Sequence, residues 1–213
     1  GNIPEAMAIT GDSIDIKKYT TIGIGPGLNT TEPAVNLLTS ILQNIQSTKE
    51  EQPSGNCQLV VDADALNILS AHPALLSLLP ASTILTPHPK EFERLFGKAA
   101  NDFERIEMAM QKAAQYNCYI ILKGHHSFIA TPQGKGYFNS TGNAGMAKGG
   151  SGDVLTGILT GLSAQGYTPL ETCILGVYLH GLAGDIAAEK FSQEAMLPTD
   201  LTECLGEAFK MLR

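Results

Sequence analysis

Glycines crowd one stretch late in the chain, Gly142-Asn143-Ala144-Gly145-Met146-Ala147-Lys148-Gly149-Gly150-Ser151-Gly152-Asp153, and an amphipathic segment follows at once. A glycine-rich loop that opens a helix leaves backbone N–H groups without intrahelical acceptors, and the helix dipole favours negative charge at that spot. Glycine also lets such a backbone come close to a phosphate. Asp153 falls in the first helical turn, where a carboxylate either complements the helix dipole or acts as a base. Beside an anion hole it would repel the ligand the hole attracts, unless it acts on a bound hydroxyl or a metal. That conflict favours the chemical role. The loop is not of the Walker type, since no Gly-Lys-Ser or Gly-Lys-Thr closes it. It is not a dinucleotide fingerprint either, because no strand runs directly into it.

Other polar residues gather where apolar runs of strand length end: Gly25-Pro26-Gly27, Asp62-Ala63-Asp64, Thr86-Pro87-His88 and Lys123-Gly124-His125-His126. In open α/β sheets, ligands bind in the crevice beyond the carboxyl ends of the strands, so these segments are expected to form four walls of one site. Taken alone, His88 reads more readily as a turn or packing histidine. Asp62 and Asp64 read equally as turn formers or helix caps. Lys123 sets a cation at the crevice rim, which an acidic protein that binds phosphates needs. His72 and His180 have no convergent partner in the sequence and are read as structural. Cys57, Cys118, Cys173 and Cys204 lie far apart with no Cys-x-x-Cys pair, the pattern of buried, reduced thiols rather than a metal site.

The elements that must position these residues alternate along the chain. Thr21 to Ile24, Cys57 to Val61, Thr83 to Leu85 and Tyr119 to Leu122 read as strands. Between them run helical stripes: Val35, Leu38, Ile41, Leu42 and Ile45; a short helix around Ala65 to Leu69; Pro89 to Phe96, stopped by Gly97; and Phe103, Ile106, Met110 and Ala113. Thr131-Pro132-Gln133-Gly134 joins Ser127–Ala130 to Lys135–Phe138 as a hairpin. After Gly150 the pattern is helical to the end. Val154, Leu155, Ile158, Leu159 and Leu162 form a stripe, Gly157 and Gly161 are expected to allow close packing, and Thr168-Pro169-Leu170-Glu171 starts another helix. The reading is an α/β fold with a mostly parallel central sheet and helices on both faces.

With 213 residues, no composition break and 43% hydrophobic against 16% charged residues, the chain reads as one folded domain. The charge of −7 argues against a nucleic-acid or anionic-membrane surface but permits a small anion held by local backbone groups. No apolar run approaches a bilayer span and no signal-peptide pattern opens the chain, so a cytoplasmic location is expected.

Four ordered motifs, Val60-Val61-Asp62-Ala63-Asp64-Ala65-Leu66-Asn67, Leu85-Thr86-Pro87-His88-Pro89-Lys90-Glu91-Phe92, Lys123-Gly124 and Gly149-Gly150-Ser151-Gly152-Asp153-Val154-Leu155, resemble the NAD(P)H-hydrate dehydratase family of the ribokinase-like superfamily. The resemblance runs from about Pro4 to the C-terminus. It implies a three-layer α/β/α fold and a repair enzyme that dehydrates NADHX or NADPHX at the expense of ADP or ATP, with Mg²⁺. Site roles follow from the same resemblance. Asp153 is the catalytic base, and Gly27, His88 and Asp153 contact the hydrated cofactor. Lys123, Gly124, His125, His126 and Ser127, with Gly149, Gly150, Ser151 and Gly152, contact the nucleotide. Glu91 orders the metal through water. His88 stands where sugar kinases of the superfamily keep an asparagine. A homo-oligomer, commonly a tetramer, is implied as well. Family members begin earlier than this chain, which starts near their Pro-Glu-x-Met segment (Pro4-Glu5-Ala6-Met7). The first βα unit is therefore expected to be missing, leaving an exposed sheet edge and a less complete substrate wall. A small-molecule kinase and an inactive nucleotide-binding fragment remain the alternatives.

Overall fold

Among the described residues, short runs of aliphatic side chains form a six-stranded sheet whose spatial order follows chain order. The computed structural model describes residues 15–51 and 57–212; the segment Pro4 to Met7 lies outside them. Strands β1 (Thr21–Ile24), β2 (Gln58–Val61), β3 (Ile84–Leu85) and β4 (Tyr119–Leu122) pair in parallel. Strands β5 (Phe128–Ala130) and β6 (Gly136–Phe138) add the expected antiparallel hairpin. Register sets Ile24 beside Val61, Val61 beside Leu85 and Leu85 beside Ile120. The parallel strands thus end along one rim, where Gly25, Asp62, Thr86 and Lys123 follow.

Helices α1 (Glu32–Glu51), α2 (Ala63–Ala71), α3 (Pro89–Phe96) and α4 (Asp102–Gln115) share one core with the sheet face that carries Leu59, Val61, Leu85 and Ile120. Helices α5 (Ser151–Ala164) and α6 (Pro169–Ala195) pack on the opposite face, against Val60, Ile84, Tyr119 and Ile121. Both faces of the sheet are covered, which is why its strands read as unbroken apolar runs rather than alternating ones. Helix α7 (Pro198–Lys210) adds Leu201, Cys204 and Ala208 to a further cluster with Ile158 and Leu162 of α5 and Leu179, Ala183 and Ile186 of α6. The result is the expected three-layer α/β/α architecture. Among the described residues, no helix is long and apolar enough to cross a membrane.

Caps set the helix ends as read. Thr168 and Glu171 form a reciprocal capping box before Pro169, and Gly97 closes α3 with φ 102°. Two readings are corrected. Phe103 is 83% exposed, because the first turn of α4 lies in solvent and its apolar stripe starts only at Ile106. Gly157 and Gly161 do not serve close packing: both face solvent, and a Cβ at either would meet nothing within 4 Å. Close approach falls instead on Gly176 of α6, where a Cβ would lie 2.6 Å from Leu159. The cysteines are free, three buried and Cys57 half-buried; burial pushes the Cys118 thiol up to about 12 and raises that of Cys173 as well.

The turn after β1 rests directly on the backbone of Asp62. Gly25 adopts φ 136°, and a Cβ there would stand 1.8 Å from the Asp62 carbonyl oxygen. Gly27 has φ 68° but open space around it. Gly27→Ala should therefore cost about 1–2 kcal/mol, the penalty of the left-handed region alone. Gly25→Ala adds a backbone collision and should cost about 3 kcal/mol or more. Urea unfolding midpoints of the two variants check this, and equal losses would contradict it.

Candidate active site

A cleft of about 730 Å³ opens beyond the strand ends, walled by Asp62, His88, Glu91, Lys123, the glycine loop through Asp153, and His180. Asp62 follows β2 directly and is 1% exposed. It occupies the N-cap position of α2, yet its side chain makes no cap bond. Instead, Lys123 Nζ donates to its Oδ1 at 2.6 Å, and the Thr156 hydroxyl of α5 donates to its Oδ2 at 2.9 Å. A buried carboxylate left unpaired costs several kcal/mol, so these partners are a condition of its being there. Lys123 is steadied through its own N–H, which donates to the Pro87 carbonyl at 2.9 Å. Its ammonium also lies 4.0 Å from Glu91 Oε2.

The ammonium sits beneath the start of α5. A Cβ on Gly152 would come within 3.3 Å of Lys123 Nζ and 3.5 Å of Asp62 Oδ2, so glycine lets this helix start settle on the ion pair. The N-cap, Gly150, is left-handed with φ 96° and offers no side-chain cap. The Ser151 N–H donates to the Lys148 carbonyl at 3.3 Å, while those of Gly152 and Asp153 have no intrahelical acceptor and stand at a site that carries a cation. Asp153 stands on the same turn, exposed and lining the cleft. The arrangement can hold an anion and place a carboxylate next to it.

His88 and Glu91 form a reciprocal capping box at the start of α3. The Lys90 and Glu91 N–H groups donate to His88 Nδ1, and the His88 N–H donates to Glu91 Oε2 at 2.8 Å. With Nδ1 accepting, the ring proton sits on Nε2, 3.4 Å from Glu91 Oε1. Both residues line the cleft, so the cap also fixes one wall. Asp64 accepts the Asn29 N–H at 2.7 Å and ties the β1 turn to α2.

The structure brings together His88, Glu91, Lys123, Gly124, His125, Ser127 and residues 149–153. Gly27 is exposed and outside this lining, and His126 is also outside it, with its ring 4.3 Å from that of His125. Three of the four expected walls meet, and the Gly25–Gly27 turn stands apart because it folds down onto the Asp62 backbone. His180, read from the sequence as structural, lines the cleft and hydrogen-bonds the Ser151 carbonyl through Nε2 at 2.9 Å. The signal for it was the Gly181 and Gly184 that follow. A Cβ at Gly181 would collide with Thr141 and one at Gly184 with Met146, so this face of α6 is where the loop lies down. Thr156 carried no signal beyond being a polar residue on an apolar stripe.

Among the described residues, no group of three or more His, Cys, Asp or Glu side chains could hold a metal ion. Glu91 accepts from the His88 N–H and lies near Lys123, which does not suit it to direct coordination. Mg²⁺ held mainly by phosphate oxygens and water, with Glu91 reached through a water, does fit this donor set.

The family described as NAD(P)H-hydrate dehydratase matches residues 2–206. A bifunctional NAD(P)H-hydrate repair enzyme of Moorella thermoacetica is 40% identical over 220 residues, spanning 99% of this chain and 40% of that protein. The chain thus spans about two fifths of the length of that relative. An ADP/ATP-dependent NAD(P)H-hydrate dehydratase of Bacillus subtilis, co-crystallized with ATP/Mg²⁺, superimposes with a TM-score of 0.71 at 31% identity, covering 93% of this chain and 70% of that one. A ribokinase-like superfamily protein of Enterococcus faecalis gives 0.76 at 30% identity, with 92% and 64% covered.

Burial, reinforced by the charge of Lys123, lowers the His180 pKa from 6.5 to about 4 against the opposing pull of the Ser151 carbonyl. The folded protein then refuses a proton that the unfolded chain accepts, so this contribution to stability is complete above pH 6.5 and lost as pH falls towards 4. The slope from one such group is at most about 1.4 kcal/mol per pH unit. His180→Gln should flatten the acid limb of Tm against pH in that window. Parallel curves for parent and variant would contradict the assignment.

Proposed function

This chain belongs to the NAD(P)H-hydrate dehydratase family, and from that membership we propose that it dehydrates hydrated NADH or NADPH at the expense of ADP or ATP. The observation that carries the reading is the uncapped start of α5 standing over a lysine held by a buried carboxylate, with Asp153 on the same turn. In this proposal the terminal phosphates rest on the N–H groups of residues 149–152 and on Lys123, with Gly124, His125 and Ser127 towards the rest of the nucleotide. The hydrated nicotinamide ring faces His88 and Asp153.

Asp153 accepts the proton of the ring hydroxyl as that oxygen attacks the terminal phosphorus, and the bond to the leaving AMP or ADP breaks. Hydroxide, a poor leaving group, has become phosphate. The ring nitrogen's lone pair then expels phosphate as the C–O bond breaks, and loss of a proton from the neighbouring ring carbon restores the dihydronicotinamide. Phosphoryl transfer of this kind needs positioning and charge stabilisation more than covalent help. Mg²⁺, when bound to the phosphates, supplies further neutralisation of charge on their oxygens, with Glu91 reaching it through water. His88 lines the cleft and is locked by its capping bonds and by Glu91 beside its Nε2, which suits the pair to orienting a substrate oxygen or carbonyl. The proposal treats residues 1–213 as one domain of a cytoplasmic homotetramer, an extension that rests on the family alone.

The direct test mixes hydrated cofactor with protein, Mg²⁺ and either ADP or ATP and follows absorbance at the reduced-nicotinamide band. Recovery of the band is expected; accumulation of a phosphorylated product without recovery would turn the reading towards a kinase. Asp153→Asn keeps most of the helix-dipole environment but cannot take the proton, so turnover should fall by about 10²–10⁴. ADP affinity should hold or rise, because a negative charge beside the phosphates has gone. Near-normal turnover in this variant would return Asp153 to a purely structural role.

A further inference from the structure

Lys148 precedes the two glycines of the loop and lines the cleft, yet its charge is aimed elsewhere. Its Nζ donates to three backbone carbonyls: Gln193 at 3.1 Å, Glu194 at 2.8 Å and Met196 at 2.7 Å. An ammonium has three donors, and here each has an acceptor. Those carbonyls lie past a break in α6, in the short stretch that leads to α7, where acceptors lack intrahelical donors. They converge because Ser192 breaks the helix with φ 66° and ψ 160°.

Two further contacts press the loop onto the same segment. A Cβ on Gly145 would stand 2.6 Å from the Gln193 carbonyl oxygen and from Met196 Sδ, and one on Gly150 would stand 3.2 Å from Pro198 Cγ. The other end of the loop is pinned as well. The Gly142 N–H and the Asn143 side-chain amide donate to the two oxygens of Asp185, each at 2.9 Å. The anion cradle of residues 149–152 follows directly on the pin at Lys148.

The geometry points to Lys148 as a positioning residue: it latches the glycine loop onto the α6–α7 junction, residues 193–198, and holds the cradle in shape without touching the bound anion. The function rests on the nucleotide reading of the cleft; the latch itself does not. A lysine in this place looks like a phosphate ligand, but moving its ammonium to a phosphate would strand three carbonyls and release the loop that forms the cradle.

Two measurements separate these roles. In the parent protein without nucleotide, Lys148 should be acylated by an activated ester at least about tenfold more slowly than exposed Lys98. A Lys148 as reactive as Lys98 in that state overturns the latch. In Lys148→Met without nucleotide, amide exchange should speed up together in residues 143–151 and 193–197, with ADP affinity falling about tenfold through lost pre-organisation. Weaker ADP binding with unchanged exchange in residues 193–197 would mark a phosphate ligand and overturn the proposal. Faster exchange in both segments of a protein that never bound ADP would support the latch and count against the nucleotide reading instead. Should the variant not fold, the acylation of the parent protein decides alone.

Discussion

A buried carboxylate must be paired, and much of this molecule follows from how Asp62 is paired. Its two oxygens take the Lys123 ammonium from the end of β4 and the Thr156 hydroxyl from α5, so one side chain joins two strands to a helix on the far side of the sheet. Solvation cannot replace those partners at a position 1% exposed. The helix start is therefore fixed above the strand ends, and the ammonium is fixed below it. Two glycines answer the same demand. Gly25 lets the neighbouring turn lie on the Asp62 backbone, and Gly152 lets α5 settle against the ion pair.

The protein is acidic overall, so an anion site has to be assembled locally. Backbone dipoles supply most of it, because an uncapped helix start attracts anions without adding a side-chain charge. Lys123 supplies a cation, paired with Asp62 and near Glu91. The loop at this site is tied to α6 through Asp185 at one end and to the carbonyls of Gln193, Glu194 and Met196 at the other. The small face at Gly181 and Gly184 allows the loop to lie flat between these anchors. Asp153 is the one acidic group placed on the cradle itself, which is what a base for a phosphoryl acceptor needs and what a simple anion site would avoid.

Features carried by local chemistry were legible in the residue pattern. The strand ends, the proline-led helix starts, the hairpin turn and the glycine loop each depend on neighbours in sequence, and each stands where the pattern put it. Contacts made across the sheet were not legible. Asp62 reads equally as a turn former or a cap because both sit at strand–helix junctions, and only the registers of β2 on β3 and of β3 on β4 show that Lys123 is in reach. His180 looked structural because its partner is a backbone carbonyl, which leaves no trace in residue identity. Gly157 and Gly161 misled for a related reason: glycine on a helix suggests close packing, but the side of α5 that carries them faces solvent. Lys148 carries no mark of its role in the sequence, since its acceptors are backbone carbonyls about 45 residues away.

The central claim is one of place: a nucleotide's phosphates rest on the start of α5 and on the Lys123 segment. Amide hydrogen exchange of the parent protein with and without saturating ADP reads that place directly. Added protection concentrated in residues 149–154 and 123–127, alongside a rise in apparent thermal stability, is the expected result. Protection confined to other parts of the sheet rim, or none at all at millimolar ADP, would contradict it.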